Sequence, residues 1–157
     1  MNYIMELRKY VGSRPIIACG AGAIIVNLEN KVLMQRRADN NCWAFVGGMM
    51  ELGESIEETV RREVLEEVGI ELGKLDFFKV YSGKDFYYKY PNGHEVYNVI
   101  NIFIAKGDYC NISIDHDEVI EAQFFDLDKM PENISPPDIR IAKEIIDYLK
   151  ESSIWVK

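Results

Sequence analysis

Three glutamates, Glu63, Glu66 and Glu67, stand three and four residues apart in the run IEETVRREVLEEV at 56–68. On a helix such residues are neighbours, and like charges so spaced repel by about 0.2–0.5 kcal/mol. At about 100° per residue, Ile56, Val60, Val64 and Val68 form one apolar stripe. The acids flank that stripe instead of lying opposite it, with Glu67 turned partly towards it. Carboxylates at the border of a core carry a much larger desolvation cost than carboxylates in water. A divalent cation would remove both penalties, because Mg²⁺ takes oxygen ligands and commonly binds through a few carboxylates plus substrate phosphates. The plain alternative is a solvated acidic face, which is what three glutamates on an arbitrary helix usually form.

The helix that carries them is marked at both ends. Ser55 followed by Glu58 is a capping box, and Gly69 supplies the left-handed stop, which predicts a helix from Ile56 to Val68. Residues 38–54, with Gly47, Gly48 and Gly53, read as a loop leading into it. Upstream, 16–27 and 31–36 read as two strands joined at Glu29-Asn30, the first small and apolar on both faces as in a central strand. Runs at 74–81, 85–90, 95–105 and 121–126 add strands, and Pro91-Asn92-Gly93 predicts a hairpin between the second and third of these. Residues 2–11 predict a short helix with Ile4, Leu7 and Val11 on one face, closed by Pro15. Residues 138–151 predict another, with Ile141, Ile145 and Leu149 inward.

Gly48, five residues, Glu54, seven residues, then Arg62-Glu63-Val64-Leu65-Glu66-Glu67-Val68-Gly69-Ile70 resembles the Nudix box at all nine fixed positions over residues 48–70. The surroundings are similar too: two strands before, a tryptophan-bearing loop into Gly47-Gly48, and a C-terminal helix after the sheet. Val46 stands where many members carry proline, a matter of loop rigidity. The resemblance implies an α/β fold, an α/β/α sandwich with a mixed β-sheet between helices, formed by one domain over 1–157. It implies a pyrophosphohydrolase dependent on Mg²⁺ or Mn²⁺, with Glu63, Glu66 and Glu67 and the Gly47 carbonyl as metal ligands. Glu66 or Glu67 is then the general base. Arg62 orients the neighbouring carboxylates, or forms a surface ion pair with Glu54 or Glu58, or both. Glu54 is an outer acid of the catalytic group, and a further acid from a later loop matches Glu118 best, with Asp117 and Glu121 behind it.

Substrate choice lies outside the box. Arg36 and Arg37 are candidates for phosphate contacts, or else exposed arginines at a sheet edge. Trp43 is a packing anchor or a base contact. Tyr81, Phe86, Tyr87, Tyr88, Tyr90 and Tyr97 surround the hairpin, where cross-strand packing competes with base stacking. Members acting on ADP-ribose often carry a proline about sixteen residues after the box, whereas this chain has Phe86-Tyr87-Tyr88. A tyrosine there, Tyr87 or Tyr88, is associated with dinucleoside polyphosphate hydrolases. A (d)NTP or oxidised (d)NTP is the expected substrate, giving the monophosphate and pyrophosphate. ADP-ribose or dinucleoside polyphosphates, or a nucleotide-sensing module without turnover, are the alternatives. An isomerase on the same fold would need a Cys–Glu pair, for which Cys42 is the lone candidate.

The chain has 157 residues with 18 basic and 26 acidic side chains, net charge −8. That balance argues against sequence-independent nucleic-acid binding, which needs a basic excess to displace counterions. No apolar stretch is long enough to span a bilayer. Cys19, Cys42 and Cys110 are scattered and odd in number, so they suggest neither a disulfide framework nor a cysteine metal site. A cytoplasmic protein is expected, with a small-molecule nucleotide as its partner. The first helix and Ile154-Trp155-Val156 would suit a homodimer contact.

Overall fold

A computed structural model describes residues 2–152; Ile154-Trp155-Val156 lie outside the described residues. The sheet is built around β1 (Ile16–Val26), which pairs in parallel with β7 (Glu95–Lys106) along its whole length. The other edge of β1 meets β4 (Val46–Met49) antiparallel from Gly20 to Ala23, and touches β2 (Val32–Arg37) only at Val26 opposite Val32. Outward from β2 lie β3 (Trp43–Ala44) and β8 (Val119–Phe125), both antiparallel to it. Outward from β7 lie β5 (Asp76–Tyr81) and β6 (Tyr87–Lys89). Because β1 and β2 share so little of their length, the two halves of the sheet diverge beside β4.

Side chains alternate across a strand, and β1 uses this to serve two cores. Ala21, Ala23 and Ile25 pack with Leu33 and Phe103 under Val60, Val64 and Val68 of α2 (Ile56–Val68). Ile24 and Val26 pack with Met34 and Ile102 under Ile141 and Ile145 of α3 (Pro136–Glu151). A mixed sheet between helices results, the α/β/α sandwich that the sequence resemblance implies.

The expected hairpin forms, with Tyr87 opposite Tyr97 and Gly93 at φ 86° in the turn. The segment read as a loop instead contains β3 and β4, each too short for a periodic signal. The first helix, α1 (Tyr3–Val11), forms with Ile4, Leu7 and Val11 half-buried as expected, and its one fully buried residue is Arg8, 5% exposed, on the same side. The Arg8 guanidinium donates to the carbonyls of Gly12, Arg14 and Glu95 at 3.0, 2.6 and 2.7 Å. Carbonyl partners let a cation enter a site that the amphipathic pattern assigned to aliphatic side chains.

Candidate active site

The divergence between β1 and β2 opens a cleft of about 670 Å³. Gly47, Gly48, Glu63, Glu66 and Glu67 line one end of it, with Arg37, Tyr88, Tyr90, Asn98, Glu118, Asp138 and the α1 residues Ile4, Met5 and Arg8 around the rest. β4 delivers the glycines and α2 the glutamates. Ser55 and Glu58 form the full reciprocal capping box at the start of α2, and Gly69 ends it at φ 68°. The helix therefore occupies the expected residues, and the glutamates face the loop that precedes it.

Glu67 is 6% exposed. One of its oxygens, Oε2, accepts from Gln35 Nε2 at 2.6 Å and from the Gly47 amide at 3.3 Å. Burial pushes its carboxyl up to about 8, against the opposing pull of Gln35 and Arg37 and with further upward push from Glu63 and Glu118. Burial raises Glu63 as well, more than Arg62 lowers it. Gly48 makes room for Glu63: a Cβ at Gly48 would lie 2.5 and 2.6 Å from the two Glu63 carboxylate oxygens.

Arg62 ties the acids together. Its Nε and Nη2 donate to Glu54 at 2.5 and 3.0 Å, its Nη1 to Glu63 at 2.7 Å and Glu66 at 3.2 Å, and its Nη2 to the Met49 carbonyl at 3.0 Å. Of the two partners considered for Arg62, Glu54 is the one it takes, since Glu58 is engaged in the cap. Glu54 also accepts from Thr59 Oγ1 at 2.9 Å and the Glu51 amide at 3.0 Å. Held chiefly by Arg62, its carboxyl sits down at about 2. Glu54 does not line the cleft; it positions Arg62.

The remaining sequence candidates divide. Arg37 reaches the cleft, braced by Asp39 through Nε at 2.9 Å and Nη2 at 2.8 Å. Arg36 does not: strand alternation turns it the other way, where it pairs with Glu121 at 3.2 Å. That same pair removes Glu121 from the cleft. Glu118 lines the cleft from an exposed loop, and Asp117 lies in a smaller recess beside it. Trp43 is a packing anchor, edge-on to Phe125 with ring centroids 4.9 Å apart, and does not line the cleft. Tyr87 points away from the cleft, its ring tilted against Tyr97 with centroids 5.3 Å apart and its hydroxyl donating to Glu95 at 2.7 Å. Its neighbour Tyr88 faces inward, as period-two alternation requires of adjacent strand residues. Cys42 has its Sγ against Asn40 and Asn133, outside the cleft. Asn98 lines the cleft while its Nδ2 donates to the Phe86 carbonyl at 3.1 Å, and Asn101 Nδ2 donates across the sheet to the Gly20 carbonyl at 3.0 Å.

Gln35 is the residue that sequence reasoning passed over. A lone glutamine at the end of a strand carries no signal; only the approach of β2 to α2 makes it the partner of Glu67. Its Oε1 is buried without a partner among the described residues. Gln35→Leu is therefore expected to leave thermal stability nearly unchanged, since it removes an orphaned acceptor along with one good bond. Loss of the bond frees Glu67 to rotate, and activity or metal affinity should fall about 10- to 100-fold. Steady-state kinetics with a metal titration checks this; an unchanged metal response would show that Glu67 is held by its own packing.

The donor set suits a divalent cation. Oxygen ligands come from Glu63, Glu67 and the Gly47 loop, and burial, the main cause of the upward shifts of Glu63 and Glu67, makes their charged forms costly without a cation. Among the described residues no three acidic, His or Cys side chains are already gathered around one point. Arg62 lies between Glu63 and Glu66, and Glu67 is turned to Gln35, so side-chain rotations of Arg62 and Glu66 would complete a site.

A model of the NUDIX domain matches residues 18–145. The chain belongs to the Nudix family. It is a hydrolase of the class that acts on phosphoric anhydride bonds, a class that typically needs divalent metal ions. A relative from Methanocaldococcus jannaschii, named ADP-ribose pyrophosphatase, is 33% identical over 130 residues, which span 80% of this chain and 71% of that one. The NAD-capped RNA hydrolase NudC of Salmonella heidelberg is 28% identical over 126 residues, and the match spans 44% of its length. A MutT Nudix hydrolase structure from Burkholderia pseudomallei superimposes with a TM-score of 0.68 at 27% identity, covering 83% of this chain and 97% of that one. The Nudix domain of Shewanella oneidensis NrtR complexed with ADP ribose shares the fold at a TM-score of 0.70 and 17% identity, covering 95% and 99%. Among the described residues of this Nudix protein, no helix is long and apolar enough to cross a membrane.

Proposed function

We propose that this Nudix hydrolase cleaves the diphosphate of ADP-ribose or a closely similar nucleoside diphosphate linked to a second moiety, releasing a nucleoside monophosphate in the cytoplasm. The observation that carries the reading is the extent of the cleft. Beyond the glutamates it takes in Arg37, Asp39, Tyr88, Asn98 and α1. A diphosphate at the glutamates would leave room in it for the groups that the diphosphate joins. The 33% identity to an ADP-ribose pyrophosphatase points the same way. The absent proline after the box speaks less, because the equivalent positions are a strand whose inward residue, Tyr88, can perform a packing role of its own.

Glu63, Glu66 and Glu67, with the Gly47 carbonyl and with Glu118 from its loop, would hold Mg²⁺ or Mn²⁺. When bound, the metal would lower the pKa of the attacking water and neutralise charge on the leaving phosphate. The chain's own groups do the rest. Glu67, pinned through one oxygen by Gln35, keeps the other available to accept a proton from that water. Arg62 restrains Glu63 and Glu66. Arg37, held in orientation by its two bonds to Asp39, presents a fixed cation to a phosphate oxygen.

A second reading is the (d)NTP or oxidised (d)NTP hydrolase, supported by the 27% identity to a MutT structure. Chromatography after incubation with Mg²⁺ separates the two, using ADP-ribose, NADH, diadenosine polyphosphates and canonical and 8-oxo dNTPs. AMP and ribose 5-phosphate from ADP-ribose at the highest kcat/KM supports the first reading. Preference for a dNTP with pyrophosphate release overturns it, and binding without turnover of any compound would make the protein a nucleotide sensor.

A further inference from the structure

We propose that α1 is a wall of the substrate cleft that selects for the nucleobase, with Met5 and Ile4 facing the base across from Tyr88. This rests on the reading of the cleft as a nucleotide diphosphate site. α1 precedes residue 18, where the NUDIX match begins. Ile4, Met5 and Arg8 all line the cleft, with Arg8 the helical neighbour of both, four residues from Ile4 and three from Met5.

The helix is pinned at both ends. At its start, the Tyr3 amide donates to both Glu51 oxygens at 2.9 and 3.2 Å, joining α1 to the loop before the glutamate helix. At its end, Arg8 grips three backbone carbonyls. No carboxylate among the described residues lies within 4.0 Å of that buried guanidinium, and its Nε has no partner. Burying a cation against neutral groups alone is costly, so the position of α1 is one the fold maintains against a penalty.

What the helix presents there is apolar and open. Met5 is 52% exposed although it lines the cleft. Opposite, Tyr88 is fixed by Asn40 Nδ2 at 3.0 Å and by an edge-on contact to Tyr90 with centroids 4.8 Å apart. Asn98, 4% exposed, keeps its Oδ1 without a partner among the described residues, an acceptor for a base amino group.

The test uses full-length protein with Mg²⁺ and ADP-ribose, comparing wild type with Met5→Asp and Ile4→Trp. Met5→Asp should raise KM about tenfold with kcat changed by less than twofold. As competitive inhibitors, AMP should weaken about tenfold and base-free ribose 5-phosphate should be unaffected. Ile4→Trp, which fills the slot without adding charge, should weaken AMP in the same selective way. Unchanged KM and AMP inhibition, or equal weakening of AMP and ribose 5-phosphate, would overturn the proposal. If wild type ignores ADP-ribose, the substrate reading has failed independently; the thermal shift produced by AMP in wild type and in Met5→Asp then decides the wall, with equal shifts overturning it.

Discussion

Glu67→Gln should lower kcat by about 10³, within the 10²–10⁴ range expected for loss of a positioned proton acceptor, while leaving the fold intact. The substituted amide keeps the shape of the carboxyl, and its oxygen can still accept from Gln35 Nε2 and the Gly47 amide, so Glu67 loses basicity and charge without losing its place. The buried carboxyl, raised to about 8, holds its proton at neutral pH when no cation is present. Metal binding must then expel that proton. Affinity for Mg²⁺ should rise with pH up to about 8 and level off above it, with proton release visible by calorimetry in buffers of different ionisation enthalpy. The same shift bears on stability. Between the ordinary glutamate value of 4.5 and about 8 the native state holds a proton that the unfolded chain has lost, so metal-free stability falls as pH rises through that window. Glu67→Gln removes this share of the slope, and its melting temperature should exceed that of wild type at pH 9 and match it near pH 5. A wild-type melting curve insensitive to this substitution at every pH would mean that Glu67 is solvated and ionised, and its assignment as the buried base would fall.

How far this site was legible depends on how local each feature is. The capping box, the valine stripe and Gly69 lie within fifteen residues of one another, and they placed α2 to the residue because each acts through its own helix. The three glutamates followed, since helical spacing fixes their relative directions. The hairpin was equally local: Pro91-Asn92-Gly93 sets its turn. Register was not local. Tyr87 and Tyr88 are equivalent by composition, and only the pairing of Tyr87 with Tyr97 decides that Tyr88 looks into the cleft. Arg36 and Arg37 present the same ambiguity one strand earlier. Partners distant in sequence were invisible: Gln35 meets Glu67 across 32 residues, and Arg8 meets Glu95 across 87. The amphipathic reading of α1 placed its apolar face but missed Arg8, because backbone carbonyls, which no residue pattern displays, supply the partners of that buried arginine.

Gly47→Ala should destabilise the protein by about 3 kcal/mol, a large overpacking cost, and lower the melting temperature by roughly 6–12 °C. The adjacent Gly48→Ala should cost far less stability and act on catalysis. The two glycines look interchangeable in the sequence, but their surroundings differ in kind. A Cβ on Gly47 would be driven onto the Ala21 carbonyl oxygen and to 2.5 Å from the Gly22 Cα. Both obstacles are backbone of the central strand, held by the full-length parallel ladder with β7 and buried between two cores. Neither can retreat without breaking the β1–β4 pairing that carries the metal loop. A Cβ on Gly48 meets the Glu63 carboxylate instead, the free end of a flexible side chain that can swing aside. Relief of that clash moves a candidate metal ligand and strains its bond from Arg62, so Gly48→Ala should reduce metal affinity and kcat by 10-fold or more, as an order of magnitude, at near-native melting temperature. Melting curves paired with metal-dependent kinetics separate the two outcomes. Equal destabilisation by both substitutions would mean that Glu63 is as immobile as the strand, and that the box is rigid before any cation binds. The contrast assigns each glycine its own reason for lacking a side chain: one lets a loop lie against the central strand, and the other leaves room for a carboxylate to reach the cleft.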